Sequence, residues 1–412
     1  MRPSGRLHSV PRPPVTVVGI GADGWIGLSA AAQQCLLLAE VILGSARQLD
    51  LVPAEVTATR RAWPSPLLAA LPALLEEHRS AQTVVLASGD PMFFGIGSTL
   101  VDILGADRVR VLPQPSSVAL ACARLGWPVD AAEVISAVGR PLETVHPALQ
   151  PGRRVLVLVG TSDAAPALAA LVGSRGYGAS VVTLLEQLGG PGERIVRAPA
   201  ADWTLAVHDP LAIVAVAVHP DPGTVALPRT PGLPDDAFVH DGQITKREIR
   251  ALALAALAPV PGHLLWDVGA GSGSIGVEWM RTHPASRAIA VEPREDRRAT
   301  IAANALALGV PGLEIVAGSA PDALAGLPRP DAIFVGGGVS VPGVLAACVA
   351  ALTPGARLVA DAVTLESEGA LAGWHARLGG TLTRVSIQRA APVGGFTGWR
   401  PAMPVTQWSY QA

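Results

Sequence analysis

Lysine is almost missing from this chain: Lys246 stands alone among 31 basic residues, and arginine supplies the rest. With 33 acidic residues the formal charge is −2, and the isoelectric point is near 6.5. A globally basic surface for nucleic acid is therefore not expected. Cysteine is equally scarce. Cys35, Cys122 and Cys348 form no CxxC pair, and each sits in an apolar helical context. That excludes a disulfide framework and points to buried thiols in a reducing cytoplasm. The nine histidines contain no HExxH or HxxxH pair, so no metal site is expected. Neither GxxxxGKS/T nor GxSxG occurs, which removes the usual sequence basis for phosphate-loop and serine-hydrolase chemistry. Only 16% of the residues are charged and half are hydrophobic. Such a chain can bury a large core and does not read as disordered. Its long uncharged run, Ala332–Ala356, is broken by Gly336-Gly337-Gly338, Pro342 and Pro354. It reads as strand, glycine loop, helix and turn, and no membrane span is expected. Residues 1–14 are basic and proline-rich without an apolar core. They are expected to be a disordered tail and not a secretory signal.

What is present falls into two halves. With 412 residues the chain is long enough for two domains. Prolines at 220, 222, 228, 231 and 234 exclude a continuous helix or central strand across 219–234. The expected division is a domain over 15–218, a linker over 219–234 and a second domain over 235–412. Both read as α/β. In the first, strands such as Val15–Ile20, Thr83–Ala87 and Arg154–Val159 alternate with helices, two of them N-capped by Ser116 and Asp163. Two late strands predict mixed pairing. The second is more regular, with repeated strand–helix units predicting a doubly wound, Rossmann-like parallel sheet with an antiparallel end.

The strongest motif is Leu264-Leu-Trp-Asp-Val-Gly-Ala-Gly-Ser-Gly-Ser-Ile-Gly276. A buried strand enters a turn with glycines at 269, 271 and 273, and then a helix starts. Glycine there lets a ligand approach the backbone, and open α/β sheets bind ligands at strand carboxyl ends. Glu292 ends the next strand, 21 residues after Gly271, where a carboxylate suits the hydroxyls of a ribose. Asp267 just before the turn would repel a pyrophosphate and would suit the cationic amino group of a methionine moiety. S-adenosylmethionine is thus favoured over a dinucleotide. Gly336, Gly337 and Gly338 end the fourth strand and suggest close approach of a substrate. In the first half, Val17-Val-Gly-Ile-Gly-Ala-Asp-Gly24 ends the first strand, and a second loop carries Gly89-Asp90-Pro91.

These residues resemble known families. Gln243–Arg250, Asp267–Gly276, Gly318–Asp322 and Ile333–Gly338 resemble the class I S-adenosylmethionine methyltransferases, and within them the CbiT-type enzymes of cobalamin synthesis. Val18–Gly24, Ser88–Gly97, Pro115–Ser117 and Leu188–Arg194 resemble the tetrapyrrole methylases of CbiE type. The order of the two halves resembles the fused, decarboxylating precorrin methyltransferases. That resemblance implies methylation of precorrin-6B at C5 by the first domain. It implies methylation at C15 and loss of the C12 acetate carboxyl by the second, giving precorrin-8. It implies one S-adenosylmethionine per domain. Cofactor contacts follow for Thr245, Asp267, Gly269, Ala270, Gly271, Ser272, Gly273, Glu292 and Ala320, and for Gly89, Asp90 and Pro91 in the first domain.

The chemistry asks for no metal or covalent nucleophile, only alignment of a ring carbon with an activated methyl group in a dry site. A precorrin carries several carboxylates, which favours arginine donors. Arg250 and Arg389 are the substrate-binding candidates, together with Gly336 and Gly337. Arg389 and Arg400 flank Gly394-Gly395, read as a lid loop. No catalytic side chain is assigned. A homo-oligomer, dimer or tetramer, is expected from the resemblance. Two alternatives stay open at this point: an RNA substrate on the same folds, and a half that only binds tetrapyrrole.

Overall fold

The computed structural model describes residues 13–412, so residues 1–12 of the expected tail lie outside the described residues. Contacts divide the chain into two units. One runs to Gly139 and resumes over Gly152–Pro222; the other comprises Arg140–Pro151 and Gly223–Ala412.

The first unit holds two sheets. The strands β1 (Val15–Ile20), β2 (Val41–Gly44), β3 (Thr59–Ala62), β4 (Thr83–Ser88) and β5 (Val109–Leu112) form a parallel sheet in the order β3-β2-β4-β1-β5. Both faces are covered, which is why neighbouring residues of one strand are all apolar. Val18, Ile42 and Leu86 pack under α1 (Ala30–Leu37) and α2 (Ala46–Asp50). Val17, Leu43 and Val85 pack under α3 (Leu67–Glu77) and α4 (Ile96–Leu104). Helix α5 (Ser117–Leu125) precedes the second sheet. There, β6 (Ala132–Ser136), β7 (Arg154–Leu158), β8 (Val181–Glu186), β9 (Arg194–Pro199) and β10 (Ala212–Ala217) lie in the order β6-β7-β10-β8-β9. Only β6 and β7 are parallel there; the other pairs are antiparallel. Ser116 caps α5 by accepting the Ala119 N–H at 3.1 Å. Asp163 does not cap α6 (Ala164–Ser174), because its carboxylate takes a hydrogen bond from Thr161 instead.

The second unit opens with α7 (Arg247–Leu257). It then alternates β11 (Leu264–Val268), α8 (Ser274–Thr282), β12 (Arg287–Glu292), α9 (Glu295–Ala307), β13 (Glu314–Ala317), β14 (Ala332–Val335), α10 (Val344–Ala351), β15 (Arg357–Ala362) and α11 (Leu365–Leu378). The strands β16 (Thr381–Val385), β17 (Gln388–Val393), β18 (Phe396–Pro401) and β19 (Val405–Gln411) complete it. The sheet order is β13-β12-β11-β14-β15-β19-β16. Its first five strands are parallel, and β19 runs antiparallel to both neighbours. This is the doubly wound sheet with an antiparallel end that the alternation predicts. Strand β11 is central and buried along its length, so its carboxyl end opens where the chain order reverses.

The lid loop expected at Gly394-Gly395 is instead the turn of a β17–β18 hairpin, closed by the Val393–Phe396 pair. Gly394 has φ +58°, as a tight hairpin turn requires. Within the proline-rich stretch, Leu233 is buried, and the N–H groups of Gly232 and Leu233 both donate to the Glu278 carboxylate of α8.

Candidate functional sites

In the second unit the turn between β11 and α8 is built almost entirely from backbone. Gly269, Gly271 and Gly273 have φ of +70°, +60° and +75°, a region that favours glycine. The Gly269 and Ala270 N–H groups donate to the Val291 carbonyl at 3.0 and 3.2 Å, fastening the turn to β12. A Cβ on Gly273 would lie 2.9 Å from Ile301 Cγ2, so α9 leaves no room for a side chain there. Ala270 is half-buried, and the Ser272 hydroxyl is buried with no partner among the described residues.

Glu292 lies beside this turn and is nearly buried. Its Oε2 accepts the Gly271 N–H at 2.9 Å, and its Oε1 accepts the Arg294 N–H at 3.1 Å. Each oxygen keeps a second lone pair for a hydroxyl donor. Asp267 sits under the turn rather than in its mouth. Its Oδ2 accepts the Gly276 N–H at 3.0 Å, tying α8 to β11. Burial pushes its carboxyl up to about 7, opposed by the Gly276 N–H and reinforced by the Glu292 charge.

The remaining cofactor candidates lie around this turn. Thr245 is half-buried at the entry to α7. The chain just before it passes Gly271, where an added Cβ would come 3.7 Å from the Gln243 carbonyl. Ala320 follows β13 and is half-buried against the Ile333 and Val335 cluster. Asn304 of α9, which the motif reading missed, holds both walls. Its Nδ2 donates to the carbonyls of Ser272 and Val239, and its Oδ1 accepts the Val239 N–H. A polar residue on a helix face gives no signal of that role in sequence.

The substrate candidates divide. Gly336 and Gly337 lie at the carboxyl end of β14, next to the turn, with the Gly336 N–H on the Val268 carbonyl at 3.0 Å. Gly336 is exposed and Gly337 half-buried. Arg389 is half-exposed on β17 and pairs with Glu248 at 2.5 Å. Arg250 is a correction. Its side chain is fully buried, and its Nε donates to Glu278 at 2.6 Å. The two other nitrogens donate to Asp235, to the Thr245 carbonyl and to the Leu233 carbonyl. Its guanidinium also lies over the Phe238 ring. No substrate reaches it; it binds the segment leading into α7 to α8. The cationic residue beside a predicted site reads as a ligand contact, whereas the acid that consumes it, Glu278, lies 28 residues away in sequence.

In the first unit, β1, β4 and β5 converge at their carboxyl ends. A Cβ on Gly19 would fall 2.0 Å from the Gly89 carbonyl oxygen and 2.8 Å from Gln114 N, so the three strand ends meet without side chains. Gly89, at φ +60°, lines a cleft of about 280 Å³ with Ile20, Pro115, Leu120, Leu185 and Ala212. Asp90 and Pro91, expected to touch the cofactor, follow Gly89 in the same turn. The Asp90 carboxylate accepts the Met92 N–H at 2.9 Å, and the Pro91 carbonyl accepts the Gly97 N–H at 2.9 Å. Both build the turn that presents Gly89. Arg47 also lines the cleft and was not among the expected residues.

Glycine turns at the carboxyl ends of parallel strands define the class: α/β proteins that bind a ligand at strand ends. Residues 14–204 match the family model for Tetrapyrrole (Corrin/Porphyrin) Methylases. Residues 236–412 match that for the Precorrin methyltransferase domain. A precorrin-6Y C(5,15)-methyltransferase [decarboxylating] from Sinorhizobium sp is 50% identical over 97% of this chain and 96% of its own length. One of the same name from Mycobacterium tuberculosis is 51% identical over 96% of this chain and 99% of its own. The solved C-terminal domain of such an enzyme from Rhodobacter capsulatus covers 45% of this chain and 99% of its own, with 50% identity and a TM-score of 0.43. The chain belongs to the precorrin-6Y C5,15-methyltransferase (decarboxylating) family, and it is a methyltransferase of cobalamin biosynthesis.

Proposed function

We propose that each unit binds its own S-adenosylmethionine and transfers one methyl group to the same precorrin-6-type substrate. The first unit acts at C5. The second acts at C15 and removes the C12 acetate carboxyl, which yields precorrin-8. The observation that carries this reading is the pairing of two separate glycine-lined strand ends in one chain with full-length similarity to fused enzymes.

In the second unit the residues fit the cofactor. Gly269–Gly273 leave the space that side chains would fill, Ser272 has a hydroxyl without a partner among the described residues, and Glu292 keeps lone pairs for ribose hydroxyls. The bound cofactor supplies a methyl group on a sulfonium, already activated for transfer. The protein's own task is to hold the ring carbon in line and keep water out. In this reading Thr245 and Ala320 contact the cofactor, Gly336 and Gly337 the substrate, and Arg389, which pairs with Glu248, a peripheral carboxylate. The acetate that leaves is best met by apolar groups, because a firm ionic grip would stabilise the ground state. In the first unit Gly89 and the apolar walls of the cleft form the corresponding site.

The proposed working form is a homo-oligomer in the cytoplasm. Support comes from the β17–β18 hairpin, whose Phe396 and Trp399 are 84% and 72% exposed, and from the unpaired thiols of Cys35, Cys122 and Cys348. The deciding experiment incubates the chain with a precorrin-6-type substrate and isotope-labelled S-adenosylmethionine, then weighs the product. Two labelled methyl groups and the loss of one carbon dioxide are expected. A product with one methyl group, or with its carboxyl count unchanged, would remove the reading.

A further inference from the structure

The first unit's cleft is walled mainly by apolar side chains and glycines, with Ser88 and Ser117, and among the described residues one charged side chain lines it, Arg47. Arg47 lies in the short helix α2 and reaches the carboxyl end of β4, where its Nη2 donates to Ser88 Oγ at 3.0 Å. Ser88 immediately precedes Gly89, so the guanidinium stands beside the turn that presents the glycine. Gln48 also donates to Ser88 Oγ, at 3.1 Å, and its side chain completes the capping box that starts α2. The helix is thus seated on the strand end, and the position of Arg47 is set by the fold.

Among the described residues no carboxylate forms an ion pair with Arg47. The acid that acts on it is Asp209, whose Oδ1 accepts the Leu211 N–H at 2.7 Å and whose Oδ2 accepts from Gln187 at 2.8 Å. Burial lowers the guanidinium pKa, and Asp209 only partly offsets this. A half-buried guanidinium with one hydrogen bond, to Ser88, among the described residues, facing a largely apolar cleft, is an arrangement completed by an incoming anion. Its planar fork matches a carboxylate in particular.

We propose that Arg47 is the carboxylate-binding residue of the first unit, gripping one acidic group of the ligand held in that cleft. The inference rests on the function proposed above, which puts a polycarboxylate and an amino-acid cofactor there. Both offer the same chemistry: a peripheral carboxylate of the tetrapyrrole, or the carboxylate of the cofactor's methionine part.

The test uses the full chain carrying Arg47→Gln, or Arg47→Met, which keeps the packing of the stem, with thermal melting as the folding control. Methyl transfer to C5 and to C15 is read separately from labelled product. Loss of one charge-assisted pair predicts about a 10- to 100-fold rise in KM at C5, with kcat at C5 and transfer at C15 little changed. Arg47→Lys recovers part of the loss. If the tetrapyrrole is the partner, its KM rises. If the cofactor is, S-adenosylhomocysteine inhibits the C5 reaction less well, while methylthioadenosine, which lacks the carboxylate, inhibits as before. Unchanged constants for both ligands in folded Arg47→Gln and Arg47→Met chains would overturn the inference. Absence of any methyl transfer by the wild-type chain would instead remove the functional reading beneath it.

Discussion

Gly269 and Gly337 stand back to back: a Cβ added to Gly269 would lie 2.8 Å from the Gly337 Cα and 2.9 Å from its nitrogen. The contact is asymmetric. A Cβ on Gly337 would lie 3.6 Å from Gly269, an ordinary contact, and only Gly269 has a positive φ. Gly269→Ala is therefore expected to displace the turn and abolish C15 methylation, while Gly337→Ala folds with the wild-type melting temperature. Thermal melting and methyl counting on the two variants check this. Equal behaviour of the pair would contradict the packing described.

Glu292 fastens the same turn through Gly271. In Glu292→Gln, the amide that replaces one acceptor oxygen presents N–H groups where an acceptor is needed. The C15 methyl transfer is expected to fall at least about tenfold, and C5 transfer to persist. Mass spectrometry of the product distinguishes the two positions. Loss of both methyl groups together would argue against independent sites.

Arg250 is expected to matter for stability, not for substrate affinity. Its removal leaves Glu278 buried with two backbone N–H donors and no cation. Breaking a buried pair of this kind costs about 3–5 kcal/mol. Urea unfolding of Arg250→Ala should show that loss in the transition of the second unit. A stable variant with a raised KM for precorrin would restore the ligand role.

Two carboxyls of the second unit set a pH dependence. Burial pushes Asp361 of β15 up to about 7, against a hydrogen bond from Gln407. Its Oδ2 has no partner among the described residues. Asp267 is raised to about 7 as well. A carboxyl raised in the folded state contributes most when both states are protonated. As pH climbs from about 4 to about 7 the unfolded chain gives up its proton first, and the folded state loses stability. Glu186 and Glu193 are shifted down by their arginines and act in more acid solution. Asp361→Asn should therefore lose less stability than the wild type between about pH 5 and about pH 8. Urea midpoints at the two pH values measure it, and parallel losses would discount the burial of Asp361.

Much of the architecture was legible because its signals are local. Apolar runs that end in glycine turns mark strands such as β1 and β11, and Ser116 marks the start of α5. The hairpin β17–β18 escaped because its residues are mostly exposed and Pro392 and Pro401 interrupt it, so no apolar face marks it. The Arg250 cluster misled for a related reason. Arginine suits ligand binding, and nothing nearby in sequence discloses that Glu278 has already taken its Nε.

The order of residues alone determined the two α/β halves, the glycine turns and the acid at 292, since these depend on periodicity and on backbone freedom within a few positions. Only the tertiary structure decided which charged groups remain available. Arg250 is consumed by Glu278, and Arg47 is left facing a cleft. Such pairings join residues distant in the chain, and burial makes an unpaired polar group costly enough that the fold, not the residue type, assigns its role.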